Sequence, residues 1–577
     1  MKENRQAPLI ESDFQIKFNQ WSNKNDKKLY IGFLVICILF SFLSFNARIS
    51  EAHDDALYLE GGWRYVNEFP NFFYTQNAPL YVLFLGALIK LFGFKLMLFK
   101  FFSVIFNLTG LALFYQAFKG RLPALVFLPV VFFQAVNYLV MYYASMTFTE
   151  AFYFCLQGFF FYRAMKIVDL TEKVEPDLRS QWQNWLWLGL SMFLMSTAKS
   201  AAIVVIPAMV LYFFMNKKMK AIVYTVSAYL IFKIIYEALI RLIWGAQNQF
   251  AGQGKILLQK DPYDISKGNE DVGGFVSRLI ENTNLSLSKR FYQLLGFMEE
   301  GSLETNWFLT LLTLGLALLG FWFALKSKNK LLLLAALFTG AQLALSYIIL
   351  QVRWDQPRIT LVCMPVVLFL MLYALYRLTS KGGFGQMAFV MIILVMSGSV
   401  LGSTFTRGMK NLPIVKKNMK GDKYYGYTQD WQNFLRCSEW CADNLSATDL
   451  VASRKAPMSF VYGKGKKFFP IYSVIKKDST TNQSHPDSAL AFFKKNNVTH
   501  IMLGHLRLNP AEQANGYINT IHNILFPIAR QYPNKLELVH VESMNGYSVD
   551  PALIRNPAQL IVEAGQFEEC YVFKINY

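Results

Sequence analysis

Of 577 residues, 54% are hydrophobic, 16% are aromatic and only 16% are charged, and the mean hydropathy is positive. A soluble enzyme of this size carries about a quarter charged residues, so the composition of the whole chain excludes an ordinary soluble enzyme and marks a polytopic membrane protein. The net charge of +19 is gathered mostly into short stretches between apolar runs, the pattern of positive-inside topology, and no basic, aromatic stripe argues for nucleic-acid binding.

Residues 1–28 are polar and place Lys24, Lys27 and Lys28 before a first span, Leu29 to Ala47, which lacks a cleavage site and is expected to stay as a signal anchor. This puts the N-terminus in the cytoplasm. Residues 48–78 are expected to form a polar, aromatic outer loop, and Pro79 to Gly93, too short for a span of about 20 residues, a helix lying at the outer interface. Phe101 to Phe118 returns inward, and Leu122 to Phe161 is long enough for two spans with a turn near Asn137 to Tyr143. Trp185 to Met215 would be about 46 Å long as one helix, too long for a core of about 30 Å, so two short spans turning near Lys199 are expected. Ala221 to Trp244 leads to an outer loop over 245–306, and spans follow at Trp307 to Leu325, Leu331 to Leu350, Ile359 to Tyr376 and Phe384 to Phe405.

The expected fold is thus an α-helical polytopic membrane protein of about eleven spans with every short inner loop basic. Its membrane part covers 29–405, including outer loops 48–100 and 245–306. Residues 406–577 have soluble composition and read as a C-terminal α/β domain on the outer face. Its strands are expected at Leu450 to Arg454, Ser459 to Tyr462, His500 to Leu503, Leu536 to Val541 and Cys570 to Ile575, and its helices at Asp430 to Asn444, Asp487 to Asn496 and Gly516 to Gln531. Cys37, Cys155 and Cys363 sit in apolar runs. Cys437 and Cys441, four apart in a helix, are badly spaced for a mutual disulfide, which leaves open a bridge from either to Cys570.

Against this topology the isolated polar residues fall on one side. Asp54 and Asp55 follow the first span, Glu150 sits at the outer start of a span, Lys199 occupies an outer turn, and Arg358 opens an outer-facing helix end. Charges near hydrocarbon are costly unless paired or used, so three acids and two bases at one membrane level point to one shared pocket. For each of these residues alone, Lys199 and Glu150 included, the alternative is a structural ion pair or a snorkelling side chain.

The order of these residues resembles the GT-C class of polytopic glycosyltransferases, and within it the protein O-mannosyltransferase and lipid A aminoarabinose transferase group (glycosyltransferase family 39-like). The similarity rests on Asp54-Asp55 with Tyr58 after the first span, and on Asn77-Ala78-Pro79-Leu80-Tyr81 running to Leu91-Phe92-Gly93. Thr149-Glu150, Thr197-Ala198-Lys199-Ser200 and Pro357-Arg358 continue it, over roughly residues 29–405. Asp55 stands where the group usually has Glu, and Asn77-Ala78 replaces the usual pair before the proline.

The resemblance implies inverting transfer of a sugar from a polyprenyl-phosphate donor to a lipid, glycan or protein acceptor outside the cytoplasm, in a bacterial inner membrane. Asp54, and after it Asp55, is expected to take the acceptor proton; Lys199 and Arg358 to bind the leaving phosphate; Glu150 to orient acceptor or sugar. His53, Tyr58, Asn77 and Tyr81 are expected to line the substrate pocket. No cofactor is called for with certainty, and a divalent metal on His53, Asp54 and Asp55 is a minor alternative, because three consecutive side chains rarely converge on one ion. The 245–306 loop, with Gly252, Gly254, Gly268, Gly273 and Gly274, is either a cover that orders over the pocket or a plain connector; Gly252-Gln253-Gly254-Lys255 lacks the spacing of a phosphate loop. The rival class is a transporter or flippase of lipid-linked sugar, whose marks, midplane coupling residues and paired interrupted repeats, do not stand out in the sequence.

Overall fold

The computed structural model describes residues 12–49, 53–173, 175–245, 257–262, 267–298, 304–380, 383–478, 480–507, 517–543 and 569–577. The chain divides into two compact units. One comprises Met1–Asn46, Tyr65–Lys260 and Gly268–Pro413, and the other Ala47–Arg64, Asp261–Lys267 and Ile414–Tyr577.

The first unit is helical. Among the described residues, Leu96–Phe118, Trp307–Lys326, Lys330–Ile349 and Gly383–Met419 are long and apolar enough to cross a membrane, and Ala124–Val136 with Tyr138–Ala144, bent by 51°, makes a fifth candidate. Other long helices are Asp26–Leu43, Thr149–Lys173, Leu178–Ala198 and Met219–Trp244, and two of them carry charges in their interior, Arg163 and Lys166 in one and Lys233 and Glu237 in the other. Near Lys199, where a turn between two short spans is expected, the Leu178–Ala198 helix stops, a 3-10 helix Ser200–Val204 follows, and Val205–Met215 is the next helix.

Helices of a membrane protein gain little from burying apolar surface against one another and associate through close packing of small residues. Leu96–Phe118 and Thr149–Lys173 do this through Gly110 and Gly158. A Cβ on Gly158 would stand 2.9 Å from the Gly110 carbonyl oxygen, and one on Gly110 would stand 3.0 Å from the Cys155 backbone nitrogen. This crossing fixes the start of the Thr149–Lys173 helix, and with it Glu150.

Two expected outer loops contain helices. Asp54–Asn67 is helical because Asp55, Tyr58, Leu59, Gly62 and Tyr65 recur at three- and four-residue spacing and are buried. In the 245–306 segment the Asp271 side chain caps Val272–Asn284 by accepting from the Gly274 N–H at 2.8 Å, and a π-helix Leu285–Arg290 continues it. Gly252, Gln253, Gly254 and Lys255 lie outside the described residues. The last apolar helix, expected to stop at Phe405, runs on to Met419.

In the second unit, β1 (Leu450–Ser453), β2 (Phe468–Pro470), β3 (Val498–Gly504), β4 (Leu536–Glu542) and β5 (Cys570–Ile575) form one sheet in the order β2-β1-β3-β5-β4. The pairs β2-β1 and β1-β3 are parallel, and β3-β5 and β5-β4 antiparallel. Ile501 and Leu503 of β3, Tyr571 and Phe573 of β5, and Ile524, Leu525 and Ile528 of the His522–Gln531 helix share the core. Ser459 to Tyr462, expected as a strand, belongs instead to the helix Ala456–Tyr462, with Pro457 in its first turn. So short an apolar run carries no period to separate helix from strand, and the true edge strand lies at Phe468–Pro470. All six cysteines are free; the Cys437 thiol donates to the Cys570 carbonyl at 3.4 Å.

Candidate functional site

In the first unit, residues far apart in sequence meet where the Leu178–Ala198 helix breaks. The break leaves Lys199 with extended backbone, between a helix end and a 3-10 turn. Its Nζ lies 3.2 Å from Glu150 Oε1, with Lys199 18% and Glu150 4% exposed. The ammonium also sits over the Tyr153 ring at 5.6 Å, and the Tyr153 hydroxyl donates to Gln342 Oε1 at 2.9 Å. The second carboxylate oxygen of Glu150 is buried without a hydrogen-bond partner among the described residues. Glu150 lines a small cavity with Asn107, Gln134, Phe154 and Val362.

Ser200 donates to Asn77 Oδ1 at 3.3 Å, tying the Lys199 turn to the entry of the Pro79–Phe92 helix. That entry is sharp: Ala78 takes a left-handed backbone with φ 62°, and Pro79 occupies the first helical position, where its missing N–H costs nothing. Tyr81 is buried against Phe152, ring centroids 5.4 Å apart. Arg358 lies over the Phe148 ring at 4.8 Å and donates from Nε to Gln356 Oε1. Asn77 is thus tied to the Lys199 turn through Ser200, Lys199 to Glu150 directly, and Tyr81 and Arg358 to Phe152 and Phe148, the residues two after and two before Glu150.

Asp54, Asp55, His53 and Tyr58 belong to the second unit. The two carboxylates open the Asp54–Asn67 helix, where the N-terminal dipole favours negative charge. Asp55 is fully buried, and its Oδ1 accepts the Ala56 N–H at 3.0 Å. His53 precedes them with φ 78°, its ring edge-on to Tyr472 at 5.6 Å and its Nε2 3.4 Å from the Tyr472 hydroxyl. Burial pushes the His53 imidazole down to about 3, helped by the positive charges of Lys455 and Arg454 and opposed by Asp54. His53 is thus a neutral neighbour of the acids. Tyr58 is buried on the same helix.

Sequence reasoning missed several charged residues. Arg454 and Lys455 follow β1 and supply positive potential at His53; their signal was a basic pair directly after a strand. Lys289 and Arg290, at the end of the π-helix, both pair with Asp355, Lys289 Nζ at 3.0 Å, three residues before Arg358. Lys100, fully buried, donates to the Ser145 carbonyl at 3.0 Å. Among the described residues no group of three or more His, Cys, Asp or Glu converges on a point that could hold a metal. His53, Asp54 and Asp55 diverge as one residue before a helix and its first two positions.

No protein-family model matches the chain, and no curated protein matches it. Among solved structures it is similar to ArnT from Cupriavidus metallidurans in the apo state, with TM-score 0.49 and 12% identity over 95% of this chain and 98% of that one. It is similar to the same protein bound to undecaprenyl phosphate, with TM-score 0.48 and 11% identity over 94% and 97%. A third is AglB, the archaeal oligosaccharyltransferase from Archaeoglobus fulgidus, in complex with an inhibitory peptide and a dolichol-phosphate, with TM-score 0.47 and 11% identity over 83% of this chain and 69% of that one. These structural neighbours are GT-C glycosyltransferases, the class that the sequence motifs resemble.

Proposed function

We propose that this integral membrane protein is a glycosyltransferase that moves a sugar from a polyprenyl-phosphate donor to an acceptor outside the cytoplasm, with inversion. The observation that carries the proposal is the meeting of Asn77, Glu150, Lys199 and Ser200, drawn from three segments, with Arg358 stacked beside the same helix start. Charge gathered in this way within an apolar helical unit is costly to keep and fits an anionic ligand presented from a membrane.

The roles follow from chemistry. A lysine ammonium has three N–H donors, and Glu150 takes one in the 3.2 Å pair, so Lys199 can hold a phosphate oxygen without giving up Glu150. Arg358 offers a planar fork to the same phosphate as the sugar–oxygen bond breaks. Asp54 takes the acceptor proton while the anomeric carbon is attacked on the face opposite the departing phosphate, and Asp55, more deeply buried, is the second choice for that role. Glu150 orients the acceptor or the sugar through its remaining oxygen. The N-terminus lies in the cytoplasm, because the short inner loops are the basic ones, and the membrane is a bacterial inner membrane.

The test is donor binding. Lys199→Gln and Arg358→Gln, each checked for an intact melting transition, should weaken retention of a polyprenyl-phosphate sugar by about tenfold or more, the scale of one lost charge-assisted contact. Unchanged donor affinity in both variants would remove these residues from the phosphate role.

A further inference from the structure

A helix that the proposed reaction does not use lies before the first span. Asp13–Lys24 begins with a capping box, in which the Ser12 hydroxyl accepts the Gln15 N–H and the Gln15 side chain accepts the Ser12 N–H. Such a cap makes a short helix persist without a partner on every face. One face is docked. Gln15 and Ser22 are buried, and Asn19 Oδ1 accepts the Ala124 N–H at 2.8 Å, capping the Ala124–Val136 helix where Pro123 has no side-chain acceptor to offer.

An adjoining face is apolar and open. Phe14, Phe18 and Trp21 fall on one stripe at four- and three-residue spacing, with ring centroids 6.0 Å and 5.5 Å apart, and Phe14 and Trp21 are each 49% exposed. Lys17 and Lys24 flank this stripe, and Lys27 and Lys28 follow after Asn25. The helix is joined through that one residue to Asp26–Leu43, the first apolar helix. Its aromatic stripe is therefore held at the level where the first span leaves the hydrocarbon, the zone that amphipathic aromatics favour.

We infer that Asp13–Lys24 is a prebuilt interfacial anchor. Its Phe14, Phe18 and Trp21 edge seats at the headgroup and acyl boundary of the leaflet at the N-terminal end of the first span, and Lys17, Lys24, Lys27 and Lys28 recognise anionic lipid headgroups there. The occupant is the bilayer, because the helix is tethered to a span, and its cations match the negative potential of an anionic leaflet. The inference does not depend on the proposed transferase reaction.

The experiment uses the full-length protein in nanodiscs, with spin labels placed singly at positions 14, 21, 20 and 23. Labels at 14 and 21 should be relaxed by oxygen and shielded from a water-soluble nickel chelate, and those at 20 and 23 the reverse. Replacing phosphatidylcholine by phosphatidylglycerol should deepen positions 14 and 21, and Lys17→Gln with Lys24→Gln should shrink that difference, Lys27 and Lys28 keeping the remainder; no deepening in phosphatidylglycerol would overturn the lipid recognition. Equal aqueous access at all four positions, or spin–spin broadening at 14 and 21 from contact with a second copy, would overturn the proposal.

Discussion

The Lys199–Glu150 pair permits a quantitative test. At 3.2 Å and an effective dielectric of about 20, the attraction between the two charges is about 5 kcal/mol, most of it offset by the cost of removing both from water. Lys199→Met leaves a carboxylate that is 4% exposed and has one oxygen already without a partner, so the loss should reach about 3–5 kcal/mol. Glu150→Gln keeps the shape and leaves only the more exposed ammonium, costing about 1–2 kcal/mol. In the double variant no charge remains to be stranded, so its loss should fall short of the sum by about 2–3 kcal/mol. Equilibrium unfolding of the four purified proteins in one detergent measures that coupling. Additive single losses would show that the two side chains do not interact, and would remove the geometry on which the proposed phosphate site rests.

The remaining predictions concern other parts of the chain. Burial holds His505 down at about 3 and His522 at about 4, with His522 Nε2 2.8 Å from His505 Nδ1, so the unfolded chain binds more protons than the folded one between pH 6.5 and about 4. Their contribution is whole above pH 6.5 and is lost as pH falls, by about 2 kcal/mol for each ring at pH 5; His505→Gln with His522→Gln should flatten the acid side of a melting-temperature profile, and an unchanged profile would refute it. Gly158→Leu should destabilise by about 3 kcal/mol or more, because the Cβ it adds would stand 2.9 Å from the Gly110 carbonyl oxygen, and backbone there cannot retreat; normal melting would contradict this packing. Asp355→Asn should lower Arg358-dependent donor affinity while Lys289→Gln alone does so less, since Arg290 still grips the acid; equal effects on a titration with donor would count against that order.

Much of the architecture was legible because it rests on length and period. Trp185 to Met215 was too long for one span, and the only charge inside it, Lys199, marked the break that the structure places there. Strands β3, β4 and β5 stood out as apolar runs between helices. The Asp54–Asn67 helix was hidden because its buried stripe mixes an acid, a glycine and two tyrosines with one leucine, which dilutes the apolar signal. Partnerships were less legible still. Glu150 and Lys199 stood out singly as charges in apolar runs, but Lys289 and Arg290 looked like ordinary loop cations until Asp355 was found between them. Nothing in the sequence separates Lys100 from the exposed Lys90 and Lys95 before it, and only folding reveals it fully buried.

The most direct test of the central claim is transfer by purified Asp54→Asn. The assay supplies a polyprenyl-phosphate sugar with envelope lipids, glycans and proteins as acceptors, and follows release of polyprenyl phosphate together with appearance of the sugar on an acceptor. The native chain should release the phosphate and glycosylate an acceptor, and the folded variant should bind the donor yet lose at least about a hundredfold in rate, the scale of a removed general base. Full-rate transfer by the variant would contradict Asp54 as the base, and donor that stays intact with the native protein across all acceptors would contradict sugar transfer itself.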